Sequence, residues 1–353
     1  IIMSYTNGLD KPTDYFNTVL YAGNDTAIGS GGQTITGVGF QPDWVWIKRR
    51  NVDTAHHAIY DSVRGATKQL SSSQTNAEST QSEGLTAFVS DGFTVGNLGR
   101  VNEGSGRNYA SWNWLASNTT ASNTDGSITS TVSANTTSGF SIVSYTGTGS
   151  ASTIGHGLGS APKMVIVKSR SGVGEWITWH TGIDIQAKLS LNTSDAVYNP
   201  GTGLYWNSTL PTSSVFSIGT SGSVNGNGTT YIAYCFAEKK GFSKFGSYQG
   251  NSSNDGTFIY TGFSPSFVMV KKTNGTGNWV MFDNKRNTFN VVDKRLVANL
   301  SDDEGTSDRL DFLSNGWKFR STATNVNGSD SYIYMCFASE PFTTSTGIPC
   351  TAR

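Results

Sequence analysis

Charge is scarce in this sequence, cysteine is nearly absent, and no apolar stretch is long. Only 14% of the 353 residues are charged, and 25 basic residues balance 25 acidic ones. No net field therefore draws the chain to nucleic acid or to an anionic membrane, and partners must be found by shape. No apolar run reaches the ~18 residues that a membrane helix needs. The opening Ile1-Ile2-Met3-Ser4-Tyr5 lacks the basic and apolar regions of a signal peptide. Neither membrane insertion nor a cleaved leader is expected. The three cysteines, Cys235, Cys336 and Cys350, are too few for a disulfide framework. The first two occupy equivalent places in apolar strands and are expected to be small buried hydrophobes. Helical periodicity longer than a turn or two is missing as well.

What is present is a core and a repeat. Apolar residues make up 36% of the chain and glycine adds 41 positions, a normal globular balance. The surface left over is neutral and rich in Gly, Ser, Thr and Asn. Such a surface keeps a free monomer soluble only weakly, so the sequence predicts life in an assembly, as a homo-oligomer or among other proteins.

The stretch Gly39-Phe40-Gln41-Pro42-Asp43-Trp44-Val45-Trp46-Ile47-Lys48 returns around Pro162 to Lys168 and around Pro265 to Lys271. In each, a proline and one variable residue precede four apolar residues and a lysine. Proline fixes φ and donates no hydrogen bond, so it belongs before a strand or at its first position. Around this strand the same neighbours recur. An aromatic strand ends in Tyr-x-Gly at Tyr21, Tyr145 and Tyr248; later come strands headed by His57, Trp176 and Trp279. Short strands at Leu70, Leu189 and Leu296 follow, and closing strands begin at Tyr109, Tyr231 and Tyr332. Short strands separated by turns predict an all-β chain of three tandem β-sandwich units, jelly-roll or lectin-like, of about 100 residues each. The units fall at 14–116, 139–238 and 239–342, with an arm at 1–13, a Ser/Thr/Asn-rich spacer at 117–138 and a tail at 343–353.

Parity within the strands predicts the buried faces. In the closing strands Ala110/Trp112/Trp114, Ile232/Tyr234/Phe236 and Ile333/Met335/Phe337 form a bulky core face; this argues against Trp112 and Trp114 as a sugar-stacking platform. The organising strand is apolar on both faces, so a loop, another unit or another subunit must cover its second side. Lys48, Lys168 and Lys271 are expected to lay their stems on that side and carry their ammonium groups to water.

Candidate chemistry is thin. His56 and His57 point to opposite faces of a strand and lack further ligands at metal spacing; His156 and His180 stand alone. Asp61-x-x-Arg64 recurs as Asp283-x-x-Arg286 and reads as a turn lock, worth ~0–1 kcal/mol if exposed. The acidic loop Asp302-Asp303-Glu304 lacks the alternating ligands of a calcium loop. No pair of carboxylates suggests a glycosidase and no glycine-rich loop cradles phosphate. No catalytic residue, metal or cofactor is expected. A lectin would need solvent-facing aromatics near Asn, Asp or Gln, and the variable loops Asn97–Asn108, Asn192–Asn207 and Val291–Arg309 are where they would lie.

The strings at 39–48, 61–70, 76–80, 84–93 and 109–114, with Ala-Tyr-Cys-Phe-Ala-Glu-Lys at 233–239 and Gly-Ile-Pro-Cys-Thr-Ala-Arg at 347–353, resemble a family of virion structural, tail-fibre-like proteins of tailed bacteriophages, many of them marine. The resemblance covers nearly the whole chain. It implies a non-enzymatic protein on the exterior of a virion, a tail fibre or host-adhesion component, with a capsid decoration protein as the alternative. A glycan-binding lectin or carbohydrate-active enzyme on the same scaffold is the reading from a different class. Other virion proteins, and a host-surface glycan, are the partners it implies.

Overall fold

The computed structural model describes residues 9–104 and 106–348. Its regular structure is almost entirely antiparallel β-strand; the α-helix at Gly222–Asn225 is a single turn. Three large sheets dominate. Sheet I runs Phe16–Ala22, Asn108–Trp114, Trp44–Arg49, Ala58–Asp61. In sheet II, Phe140–Thr146, Thr230–Phe236, Met164–Ser169 and Ile177–His180 follow in the same relative order, then Leu189–Ser190. Sheet III repeats it with Ser243–Gln249, Ser331–Pro341, Phe263–Lys272, Trp279–Asp283 and Leu296–Val297. The organising strand lies inside each sheet, paired on both edges, which is why four apolar residues in a row suit it.

Each large sheet is apolar on both faces, and the two faces serve different cores. On one face Val45 and Ile47 of sheet I meet Ile35, Phe93 and Val95 of a small outer sheet. Val165 and Val167 meet Ile154, Phe216 and Ile218 in the same way, and Val268 and Val270 meet Ile259, Trp317 and Phe319. The opposite faces converge on a single interior. There Trp44, Trp46, Trp112 and Trp114 pack with Phe140, Met164, Ile166, Tyr234 and Phe236, and with Phe267, Met269, Met335 and Phe337. Trp44 shows the mixing: its ring lies 4.4 Å from Trp114 of its own sheet and 4.5 Å from Tyr234 of sheet II. The second side of the organising strand is thus covered by the other two sheets of the same chain.

The Tyr-x-Gly signature has a local cause. Tyr21 stacks on Tyr109 at 5.1 Å, Tyr145 on Tyr231 at 5.2 Å and Tyr248 on Tyr332 at 5.0 Å. The hydroxyls of Tyr21, Tyr145 and Tyr248 donate to the carbonyls of Val101, Val224 and Val326, tying a loop to each sheet. The glycine that follows must be glycine: a Cβ at Gly23 would stand 2.0 Å from the Glu103 carbonyl oxygen, and one at Gly250 2.1 Å from that of Gly328.

Two expectations need correction. The stretch Ser117–Ser138, taken as a spacer with at most one edge strand, supplies two strands, Ala121–Asn123 and Ser130–Asn135, that extend sheet II. Ile128 and Val132, its sizeable apolar residues, are buried and join that sheet's outer core, so a few well-placed side chains suffice to order a polar segment. Pro265 lies within its strand instead of ahead of it, and the register shifts on both sides of it, since a missing N–H is tolerated at a bulge. The expectations on Ile1 to Tyr5 and on Cys350 concern positions outside the described residues.

Candidate functional site

The recurring polar residues lie between the sheets. The heads of three equivalent strands reach across to the neighbouring sheet. Trp279 Nε1 donates to the Ser190 carbonyl at 3.0 Å, Trp176 Nε1 to the Ser71 carbonyl at 2.8 Å, and His57 Nε2 to the Val297 carbonyl at 2.9 Å. These bonds run III to II, II to I and I to III, so they close a ring. Backbone bonds follow the same circuit: Gly277 N to Ser194 O, Gly174 N to Thr75 O and Ala55 N to Ser301 O.

The ends of the same strands each bond to the other neighbouring sheet, sheet I to II, III to I and II to III. Tyr234 donates its hydroxyl to Asp61 at 2.7 Å and Trp112 Nε1 donates to Asp283 at 3.1 Å. His180, standing where the others have Asp, donates from Nε2 to the Tyr334 carbonyl at 3.0 Å. The two Asp-x-x-Arg pairs are turn locks, as expected, and they are buried, so the small energy of an exposed pair does not apply. Arg64 Nε and Arg286 Nε lie 2.5 Å from Asp61 and Asp283, with all four side chains fully buried. Each pair is flanked by a glutamate that clasps an arginine of the next sheet: Glu78 holds Arg170, and Glu304 holds Arg50, through two bonds each. Burial opposes ionisation of Glu78, but the two arginines prevail and keep its pKa below the ordinary value.

Lys48, Lys168 and Lys271 differ most from expectation: they are buried and do not reach water. Each donates to the carbonyl of the residue after it, Arg49 at 2.7 Å, Ser169 at 2.8 Å and Lys272 at 2.7 Å. Lys48 also reaches Ser301 and Lys271 reaches Ser194, both across sheets. Burial pushes each ammonium down to about 8. Sequence periodicity gave the right face but assumed that face was a surface.

The histidines are packed. Trp46 Nε1 donates to His57 Nδ1 at 2.7 Å, which leaves His57 neutral with its proton on Nε2, and burial holds its pKa well below 6.5. His56 contacts Ser73 and His156 the Thr212 carbonyl. Among the described residues no group of three His, Cys, Asp or Glu side chains could hold a metal, the Asp302, Asp303 and Glu304 loop included. Cys235 and Cys336 are buried free thiols whose pKa values burial raises.

An open cleft beside sheet II combines aromatic surface with charge. Lys188 and Tyr198 pair across a short antiparallel bridge, and Tyr205 stands at a right angle to Tyr198 with ring centroids 6.4 Å apart. Lys188 Nζ lies 6.0 and 5.8 Å from the two rings and donates to Glu175 at 2.5 Å and to Ser190 at 2.7 Å. Burial raises the Glu175 pKa, but the Lys188 and Ser190 hydrogen bonds outweigh it and leave the carboxyl below its ordinary value. Tyr198 and Tyr205 both belong to the loop Asn192–Asn207, where the sequence placed solvent-facing aromatics; Glu175, Lys188 and Ser190 were not singled out, because nothing linear links them to that loop.

These features define an antiparallel all-β protein built for a shared interior, with an aromatic cleft on its outside. Residues 11–341 match the family described as a domain of unknown function, DUF7483, and the chain belongs to that family. No curated protein and no solved structure matches it.

Proposed function

We propose that this chain is a non-enzymatic structural protein of a bacteriophage virion, a tail-fibre or host-adhesion component exposed on the particle, built as three tandem β-sandwich units drawn from one blueprint. The observation that carries this reading is where the recurring ionisable residues go. Asp61, Glu78, Asp283, Glu304, Lys48 and Lys271 bond to neighbouring sheets, while Arg64 and Arg286 lock the turns that present Asp61 and Asp283, so these residues are used up in joining the sheets. Residues that recur for assembly leave recognition to the variable loops outside. The common strand order of the three large sheets supports the single blueprint.

Density for this chain on the outside of an intact particle, and inhibition of phage adsorption by the isolated protein, are the expected results. Density on the head would favour a decoration protein. Release of reducing ends from a bacterial polysaccharide would refute the non-enzymatic reading.

A second reading, a glycan-binding lectin, is favoured by the half-exposed Tyr198 beside Glu175 and Lys188. The two are compatible, since adhesion to a cell surface is commonly adhesion to its sugars.

A further inference from the structure

We infer that the cleft between Tyr198, Tyr205, Glu175 and Lys188 binds the pyranose ring of a neutral sugar. This deepens the adhesion reading and rests on it for biological context, while the site itself stands on geometry.

Tyr198 is 51% exposed although it sits in an ordered backbone bridge, and Tyr205 closes the corner behind it. Two aromatic planes at 83° give one flat wall for the apolar C–H face of a sugar ring and one edge that limits its depth. The cleft encloses about 530 Å³, within the range of ~300–1,000 Å³ usual for small-molecule sites.

Hydrogen-bonding capacity there is only half used. Oε2 of Glu175 accepts from Lys188 and from Ser190 at 2.6 Å, which fixes the carboxylate, while Oε1 accepts nothing from the described residues. Tyr198 and Tyr205 both line the cleft, and their hydroxyls are likewise without hydrogen-bond partners among the described residues. Two phenols and a carboxylate oxygen on cleft-lining residues are therefore available to ring hydroxyls, and the Lys188 and Ser190 bonds hold the carboxylate in place before a ligand arrives.

Charge selects the class of sugar. Glu175 is paired with Lys188, and Asp195, the remaining charged residue lining the cleft, is acidic. With its one lining cation held by Glu175, the cleft has no surplus cation for a uronate or a sialic acid, and hydroxyl-rich neutral rings are preferred.

The counterpart clefts lack this equipment. In sheet I the equivalent Gln69 lies opposite Ser79 and accepts from the Tyr60 hydroxyl, and in sheet III Arg295 lies opposite Gly305 and pairs with Asp308, so neither faces an aromatic residue across its bridge. The aromatic corner is particular to the middle of the chain, which a role in joining sheets would not require.

The test uses the full chain with methyl α-glucopyranoside, methyl α-galactopyranoside and methyl α-mannopyranoside as probes, and glucuronate and N-acetylneuraminate as acidic controls. Saturation-transfer NMR and calorimetry read binding. At least one neutral glycoside is expected to bind, with affinity at least about ten-fold weaker in Tyr198→Ala and in Glu175→Gln. Tyr198→Phe keeps the stacking plane and should retain most of it. An unchanged urea midpoint for Tyr198→Ala shows that any loss is local. Binding of none of the three probes, binding indifferent to Tyr198→Ala, or tighter binding of the acidic sugars would overturn the proposal. The virion reading fails separately, by absence of the chain from purified particles, and that failure would leave a measured sugar site intact.

Discussion

Replacing Trp279 by phenylalanine should cost far more stability than the same replacement at Trp44, although both indoles are buried in the same interior. Trp279 Nε1 donates to the Ser190 carbonyl at 3.0 Å, across two sheets. Phenylalanine deletes that bond, worth ~0.5–1.5 kcal/mol, and leaves a buried carbonyl underserved, which adds part of a further ~1–3 kcal/mol. Thr193 N still donates to the same oxygen at 3.2 Å and limits that second contribution. Lost ring volume costs about 1 kcal/mol more, for a total near 3 kcal/mol. Trp44 presents the opposite case: its Nε1 is buried with no partner. Phenylalanine there removes an unsatisfied donor, a gain of about 1–2 kcal/mol that offsets the lost volume, so the net change should lie within about 1 kcal/mol of zero. Urea unfolding followed by far-ultraviolet circular dichroism, fitted with one common slope, measures both. Trp44→Phe destabilising as much as Trp279→Phe would refute the reasoning.

Because one interior serves all three sheets, heat should unfold the chain in a single transition with equal calorimetric and van't Hoff enthalpies; two or three resolved peaks would contradict a shared core. Acid should weaken the fold through His180. Burial pushes its pKa down to about 4 while the Tyr334 carbonyl opposes the shift, so between pH 6.5 and 4 the unfolded chain binds a proton that the folded chain does not. Stability must then fall by about 3 kcal/mol as pH drops through that window, and His180→Gln should flatten the fall. The buried lysines act on the other side. Above pH 8 the folded chain sheds protons that unfolded lysines keep to about 10.5. Stability should therefore rise between pH 8 and 9, on the order of 1 kcal/mol per lysine, and Lys48→Met should reduce the rise.

The strands were legible because their signals are local. Pro42, Pro162 and Pro265 precede four apolar residues each, and the Tyr-x-Gly and closing motifs mark strands that the backbone pairing reproduces. Parity also separated the faces of Trp112 and Trp114 from those of Tyr109 and Ser111. It could not say what lay beyond either face, since a second layer of the same chain and open water leave the same period in the sequence. That is why the ammonium groups of Lys48, Lys168 and Lys271 are expected at solvent from the sequence but are buried in the structure. The interior they occupy is assembled from segments a hundred or more positions apart, and only tertiary structure brings Lys48 to Ser301 or Tyr234 to Asp61. The loop Asn192–Asn207 was found from its composition, whereas Glu175 and Lys188 enter the cleft through strand pairing.

The circuit of cross-sheet bonds has a consequence for what can be removed. Each sheet is both lender and borrower, as the stones of an arch are, so no two of them form a self-sufficient fragment. Deleting any one strands a donor on one survivor and an acceptor on the other and uncovers tryptophan-lined surface on both. Lineages carrying this architecture should therefore vary freely in the outer loops yet keep the number of sheets fixed at three.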